Sequence, residues 1–444
     1  MENITLPPYF FSHYYITTLP HCYIYTLSHY YIFIMKKLLL LCMTALFCFA
    51  CSESKTVTVT VTNPLAIERS NEMIEVSMAE ISNRLNLADT AQIVVLNADG
   101  MQVPYQITYD EKVIFPVTVA ANGNAAYTIK AGTPETFDVK ACGKYYPNRL
   151  DDVAWENDLV GFRAYGPALQ ARGERGYGYD LFTKRDTTEP MLEGMYAKET
   201  DKARRAELNE LKKTDPETAG KLLREMSYHI DHGHGMDCYA VGPTLGAGVA
   251  ALMVNDTIVY PWCYKEQEIL DNGPLRFTAK LVFNPLNVKG DTTVVETRLI
   301  TLDAGSHLNK TAVSYSNLKE TLPIVAGIVL HEPDGAVVAN AADGYITYVD
   351  PTNGPNNGKI FVGAAVPAVV KEAKAVLFSE QEKKQRNNAD GHVLAISDYE
   401  PGSDYVYYWG FAWDKADIKT PEAWNQYMAD FAQKVRNPLT VTIN

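Results

Sequence analysis

Between Thr56 and Thr62 the chain reads Thr-Val-Thr-Val-Thr-Val-Thr, an unbroken polar–apolar alternation stopped by Asn63-Pro64. Successive side chains of a strand point to opposite faces, so a period of two built from β-branched residues predicts a half-buried strand. The same pattern recurs over residues 91–96, 102–107, 112–115 and 125–130, with the turn Asn97-Ala-Asp-Gly100 among them. Short strands spaced this closely predict a small β-sandwich over residues 56–140, a platform with no visible catalytic group. Beyond Gly248 the strands lengthen (248–254, 276–283, 292–302, 308–315, 324–330) and are joined by Asn, Asp and Gly turns. Regular intervening helices are absent, which argues against a parallel α/β sheet. The chain is therefore expected to be mainly β: a small N-terminal β-sandwich, then a large antiparallel β-supersandwich over 145–444 with a short helical insertion. That insertion spans 199–211 and 215–226, charged nearly all round, and reads as a solvated excursion or as one wall of a cleft. A last helix opens at Thr420-Pro421-Glu422 and runs to Val435, and residues 439–443 return as an edge strand.

The first 34 residues carry no lysine or arginine and match no domain pattern, so they read as an upstream extension of the true start. Met35-Lys-Lys, an apolar run and then Ala50-Cys51 form a secretory leader over 35–51, too short to stay as a membrane span. Cysteine directly after the cleavage point predicts lipidation of Cys51, although Cys48 departs from the usual leucine three positions before it. The expected location is the periplasmic side of the outer membrane, or the cell surface, with the lipid as the only membrane contact. Net charge is −13 with no basic run, which disfavours nucleic-acid binding. Cys142, Cys238 and Cys263 fit no metal motif; they are either three small buried residues or include one disulfide.

Candidate chemistry concentrates in Met226-Ser-Tyr-His-Ile-Asp-His-Gly-His-Gly-Met-Asp237. Of the chain's nine histidines, His229, His232 and His234 lie here, with Asp231, Asp237 and Tyr228. Imidazole and carboxylate together are the material of acid–base catalysis and of metal sites. Read as a strand, the stretch puts His229, Asp231 and Asp237 on one face with Gly233 and Gly235 as open floor between them. Asp231, Asp237, His232 and His234 form a candidate set for a divalent cation, calcium or zinc, although the spacing matches no zinc motif. The alternative is a polar hairpin tip with solvated histidines.

Further groups suit a glycan cleft. Trp155, Trp409 and Trp413 offer sugar-stacking faces, Glu156 and Asp158 are carboxylates, and Arg163 suits bidentate capture of a carboxylate. The same residues equally suit a packed core with the charges paired internally. His331-Glu332 closes an apolar strand at a sheet rim, and Glu296 with Arg298 reads as an ion pair.

Several stretches together carry a resemblance: 154–163 (Ala-Trp-Glu-Asn-Asp-Leu-Val-Gly-Phe-Arg) with Tyr165-Gly166; Tyr228-His-x-Asp-His-Gly-x-Gly-x-Asp237 with Val241-Gly-Pro-Thr-Leu-Gly246; Asn272-Gly-Pro274; Glu296-Thr-Arg298 with Leu302-Asp-Ala-Gly-Ser306; and Trp409-Gly-Phe-Ala-Trp413. They resemble a secreted Bacteroides-type (Bacteroidota) family, the domain of unknown function numbered 4861, over nearly all of the mature chain. The resemblance implies a β-supersandwich similar to that of galactose mutarotase and some polysaccharide lyases. It also implies a place in polysaccharide utilisation, among proteins that dismantle pectin-like and other uronic-acid glycans. Residues 198–225 look longer than the family pattern, and no catalytic assignments come with it.

The expected activity is a lyase, hydrolase or epimerase acting on uronic-acid oligosaccharides. In the lyase version Arg163, or a cation on Asp231 and Asp237, neutralises the sugar carboxylate. His229 then removes the neighbouring proton, and Tyr228 or another acid protonates the leaving oxygen. In the hydrolase or epimerase version His229 pairs with Glu332 or Glu156. Asp231 and His331 complete the catalytic candidates. The alternative from another class is a non-catalytic glycan-binding lipoprotein with Trp155, Trp409 and Trp413 as its platform.

Overall fold

The computed structural model describes residues 55–88, 91–185 and 190–444. The leader and Cys51 lie outside the described residues. Thr56–Thr62 forms the strand its alternation predicts, with Val57, Val59 and Val61 turned into a core shared with Ile74, Val76 and Phe115. It belongs to a five-stranded sheet that faces a three-stranded one, so the N-terminal unit is a sandwich. Its outer strand comes from the far end of the chain: Thr440–Ile443 pairs antiparallel with Thr56–Thr62, Thr60 opposite Thr442. The polypeptide thus leaves this sandwich near residue 131 and returns to its edge at 440.

The larger part is built on a nine-stranded antiparallel sheet. Two five-stranded sheets cover one side of it. One contains Asp152–Glu156, Gly161–Ala164 and Asp180–Lys184, the other Ala247–Val254, Leu322–Leu330 and Gly391–Tyr399. They meet where Tyr179 pairs with Gly246 in a parallel bridge, so the second layer is nearly continuous. Both layers share one core, consistent with the supersandwich expectation and with sheets packed face to face.

The tryptophans are that core's mortar. Trp155, Trp409 and Trp413 are 0%, 0% and 1% exposed, which overturns their reading as a sugar platform. Trp155 stacks on Phe277 at 5.8 Å between centroids, and Trp409 on Tyr179 at 4.0 Å. Each indole N–H is satisfied internally, by Asn309 Oδ1 at 2.8 Å, Thr311 Oγ1 at 2.8 Å and the Asn357 carbonyl at 2.7 Å respectively. A ring with a polar edge goes inside only when that edge finds an acceptor.

The insertion is three helices, Leu192–Glu199, Lys202–Leu211 and Pro216–Met226. Asp201 and Asp215 cap the last two, accepting from the Arg204 and Thr218 amides, and Pro216 takes the first turn, where its missing N–H is harmless. Residues 199–226 are largely exposed, as expected of a solvated excursion, but the helix just before them, Leu192–Glu199, forms a roof. Leu192 and Tyr196 pack on Ala154, Phe182 and Tyr228. Among the described residues no helix is long and apolar enough to cross a membrane.

Candidate functional site

The roof covers an unusual sheet face. Along Asp152–Glu156 the odd residues Val153 and Trp155 enter the core, so Asp152, Ala154 and Glu156 face the helices. The same alternation turns Arg163, Asp180 and Lys184 that way, and all five charged residues are buried. Charges are removed from water only against a large desolvation penalty, so each needs partners. Lys184 donates to Glu156 at 2.7 Å, and Glu156 also accepts from the Met191 and Leu192 amides at the start of the first insertion helix. That group is closed on itself, and Glu156 is structural, contrary to its expected place in a glycan cleft. Asp158 is likewise spent, accepting from the Gly305 amide at 2.7 Å.

Arg163 anchors the second group. Its guanidinium donates to Asp237 at 2.9 Å, to the Tyr228 hydroxyl at 3.1 Å and, in a short contact, to Asp180, with Asp152 at 3.6 Å. It is 4% exposed and both terminal nitrogens are engaged by protein groups, so it does not hold a sugar carboxylate as expected from the sequence. Tyr165 donates to Asp180 at 2.7 Å and Tyr196 to Asp152 at 3.1 Å. Arg149 donates through Nε to the Tyr228 hydroxyl at 2.9 Å. Three carboxyls therefore face two guanidinium groups, an imbalance that favours holding a proton. Burial, then the charge of Asp180, pushes the Asp237 carboxyl above the ordinary range in spite of Arg163 and Arg149. Burial raises Asp152 to about 6 against the same two arginines. Of these carboxyls, Asp237 is the one whose surroundings favour a proton near neutrality.

The histidine stretch is a loop, not the expected strand. Residues 228–234 turn, only Gly235–Met236 pair as a strand, and the Asp237 amide donates back to the Tyr228 carbonyl at 2.9 Å. Gly235 is no open floor: at φ +128° a Cβ there would sit 1.8 Å from the Thr183 carbonyl oxygen, so only glycine allows this approach. Closing the loop brings His229 over Asp237. Its Nδ1 lies 3.2 Å from the Asp237 carbonyl oxygen and 3.5 Å from Oδ2, while the side chain stays 53% exposed. A carbonyl only accepts, so Nδ1 carries the hydrogen, and in the neutral ring Nε2 is the bare acceptor. Tyr228 supports the ring edge-on at 4.7 Å and is itself buried.

The other candidates go elsewhere. Asp231 pairs with Arg185 and accepts from the Gly233 and Gly235 amides. These contacts hold its carboxyl below the ordinary range, although burial opposes them. His232 donates to the Ser227 carbonyl at 3.0 Å, and His234 is exposed. Asp237 faces Arg163, so the expected cation set does not converge; among the described residues no group of three or more His, Cys, Asp or Glu is placed to hold a metal. His331 is tied to Asp350 at 2.6 Å and to the Ala240 backbone; burial alone would lower it, and Asp350 outweighs that to hold it above the ordinary value. Both ring contacts serve structure, and Glu332 is exposed beside it. Glu296 and Arg298 form a fully buried ion pair on one strand. Cys142, Cys238 and Cys263 are free thiols.

Sequence reading missed Arg149, Asp152, Asp180, Tyr165 and Tyr196. Asp152, Arg163 and Asp180 each alternate with apolar neighbours that enter the core, which was an available signal. Arg149 sits in a single turn of 3-10 helix with no pattern around it.

The profile described as "Domain of unknown function (DUF4861)" matches residues 61–441. The chain belongs to the DUF4861 family. This agrees with the resemblance carried by its motifs. It is 25% identical over 403 residues to "Uncharacterized protein P7" of Formosa agariphila, covering 87% of this chain and 93% of that protein. Among solved structures, it superposes on a glycosyl hydrolase family 38 protein from Enterococcus faecalis with TM-score 0.46 and 8% identity, covering 88% of this chain and 47% of that one. An α-mannosidase from Enterococcus faecalis V583 gives TM-score 0.46 and 9% identity over 88% and 46%. The DUF4861 chain thus spans just under half the length of those two.

Proposed function

We propose that this DUF4861 protein is a carbohydrate-active enzyme of a polysaccharide-utilisation system, cleaving uronic-acid oligosaccharides by elimination with His229 as the proton-transferring group. One observation carries the reading: an exposed imidazole is held as its Nδ1–H tautomer by a backbone carbonyl, beside a buried carboxyl that favours its proton. Nε2 then accepts the proton next to the sugar carboxylate, the glycosidic C–O bond breaks, and the imidazolium returns that proton to the leaving oxygen. The products are one new chain end and one unsaturated uronate. Asp237 is a positioning residue, its backbone carbonyl fixing the ring through Nδ1–H.

Arg149 takes the role first given to Arg163. Among the described residues its guanidinium forms no ion pair, and its one side-chain bond, to Tyr228, uses Nε only. Its terminal nitrogens suit bidentate capture of a carboxylate, which acidifies the neighbouring C–H. A hydrolase pair of His229 with Glu156 is unsupported, because Glu156 is buried against Lys184. The binding-only reading has lost the tryptophan platform it required. With Cys51 lipidated, the enzyme works on the periplasmic side of the outer membrane or at the cell surface.

The test is incubation with pectin fragments, ulvan and glycosaminoglycans, following ultraviolet absorbance for the unsaturated product and assaying new reducing ends. His229→Ala is expected to lower turnover by roughly 10²-fold or more, and Arg149→Met to raise KM more than it lowers kcat. Undiminished turnover in His229→Ala, or no product from any of these glycans, overturns the reading.

A further inference from the structure

A cavity of about 400 Å³ opens on the opposite side of the nine-stranded sheet and shares no lining residue with the His229 cluster. It lies where three parts of the fold meet: that sheet, the N-terminal sandwich and the helix Pro421–Arg436. On the sheet, Thr301 is registered opposite Lys310 and Lys310 opposite Tyr408, so the three side chains share one face in a row. On the helix, Tyr427, Phe431 and Lys434 recur at spacings of four and three, which is one helical face. Tyr408 and Phe431 meet edge to face at 5.1 Å, forming an aromatic corner that is only half buried.

The charges in this cavity are sorted. Arg276 binds Asp303 at 2.6 and 2.9 Å and Glu75 at 2.6 Å, and Glu72 is taken by Arg69. Asp430 accepts from the Gln426 amide at 2.8 Å. Lys310 and Lys434 form no ion pair among the described residues, although each is within reach of the same cavity. A flat aromatic face, hydroxyl and amide groups around it and two uncommitted ammonium groups match a sugar ring bearing an anion. The volume falls in the range of small-ligand sites, and junctions between domains are where such sites occur.

We infer that this cavity is a saccharide-binding subsite, with Tyr408 and Phe431 taking the ring and Lys310 and Lys434 reading a carboxylate or sulfate substituent. It is separate from the proposed cleavage site and holds glycan without reacting with it.

The experiment measures binding by calorimetry in full-length His229→Ala protein, so that no probe is consumed. The probes are a galacturonate tetrasaccharide, a sulfated galactan tetrasaccharide and a neutral galactan tetrasaccharide. Lys310→Glu with Lys434→Glu, both changes at the cavity mouth, is expected to weaken an anionic probe at least tenfold and leave the thermal midpoint unchanged. Tyr408→Ala is expected to weaken all three. Preference for the uronate or for the sulfate names the natural anion, and either supports the inference. Equal affinity of the parent and the double glutamate variant for both anionic probes overturns it, as does the absence of binding by every probe. Turnover at His229 is read separately, so loss of the cleavage reading leaves this result standing, and the reverse.

Discussion

At the scale of the residue, the decisive fact is that Arg163 and Asp237 are both buried in one network yet have opposite needs. Arg163 is the cation around which Asp180, Asp237 and Asp152 are arranged. Arg163→Met leaves that acidic set without its central charge and is expected to cost about 3–5 kcal/mol of stability. Asp237 already favours its neutral form, so Asp237→Asn keeps shape and charge and is expected to change stability by ~1 kcal/mol or less, and to leave turnover largely unchanged because the backbone carbonyl that holds His229 remains. Urea unfolding midpoints of the two variants check the contrast; equal destabilisation would contradict the assignment of a proton to this cluster. The sequence reading marked Arg163 only as a guanidinium suited to a carboxylate. It gave no sign that helices would cover that face, because burial of a polar face depends on segments 30 to 70 residues away. Arg149 was invisible for a simpler reason: one arginine in a turn has no periodicity to betray it.

At the scale of the element, legibility tracked how local the cause was. Thr56–Thr62 was readable because its alternation is itself the reason it forms a strand. The loop at 228–234 was not, because the bond from the Asp237 amide to the Tyr228 carbonyl and the approach of Gly235 to Thr183 are set by distant strands. The charged stretch 199–226 was read as solvated and is largely exposed; the roof helix before it escaped notice because only Leu192 and Tyr196 of its eight residues are buried, too few to give a period. Tyr196→Ala removes a buried ring and a bond to Asp152, and is expected to destabilise by about 3–5 kcal/mol, opening the sheet face below. Thermal unfolding of the variant, with hydrogen exchange over Asp152–Glu156, measures this; unchanged protection there would show that the roof is decoration.

At the scale of the whole molecule, the supersandwich is held by rings and small side chains between sheets, and one buried histidine makes its stability depend on pH. His392 lies fully inside, its Nε2 accepting from the Leu245 amide at 3.1 Å with Phe378 edge-on at 4.8 Å. Burial, then the nearby Arg386, lowers its pKa from 6.5 to about 3. A group with a depressed folded pKa gives stability that is complete above its unfolded value and declines as pH falls below it. The protein is therefore expected to lose stability between about pH 6.5 and 3 through this residue. His392→Gln, which keeps an acceptor for the amide without titrating, is expected to flatten that portion of the stability–pH curve. Parallel curves for the two proteins would refute the assignment.

The sequence by itself determined the β class, the two-part layout and the stretch where polar chemistry gathers, because strand period, turn residues and histidine content are local properties. Only the tertiary structure decided that the tryptophans are core, that Glu156 is spent on Lys184 and a helix start, and that His229 alone emerges above a buried acidic cluster. Those outcomes depend on which distant surfaces exclude water from a residue, and solvent exclusion is a property of the assembled fold.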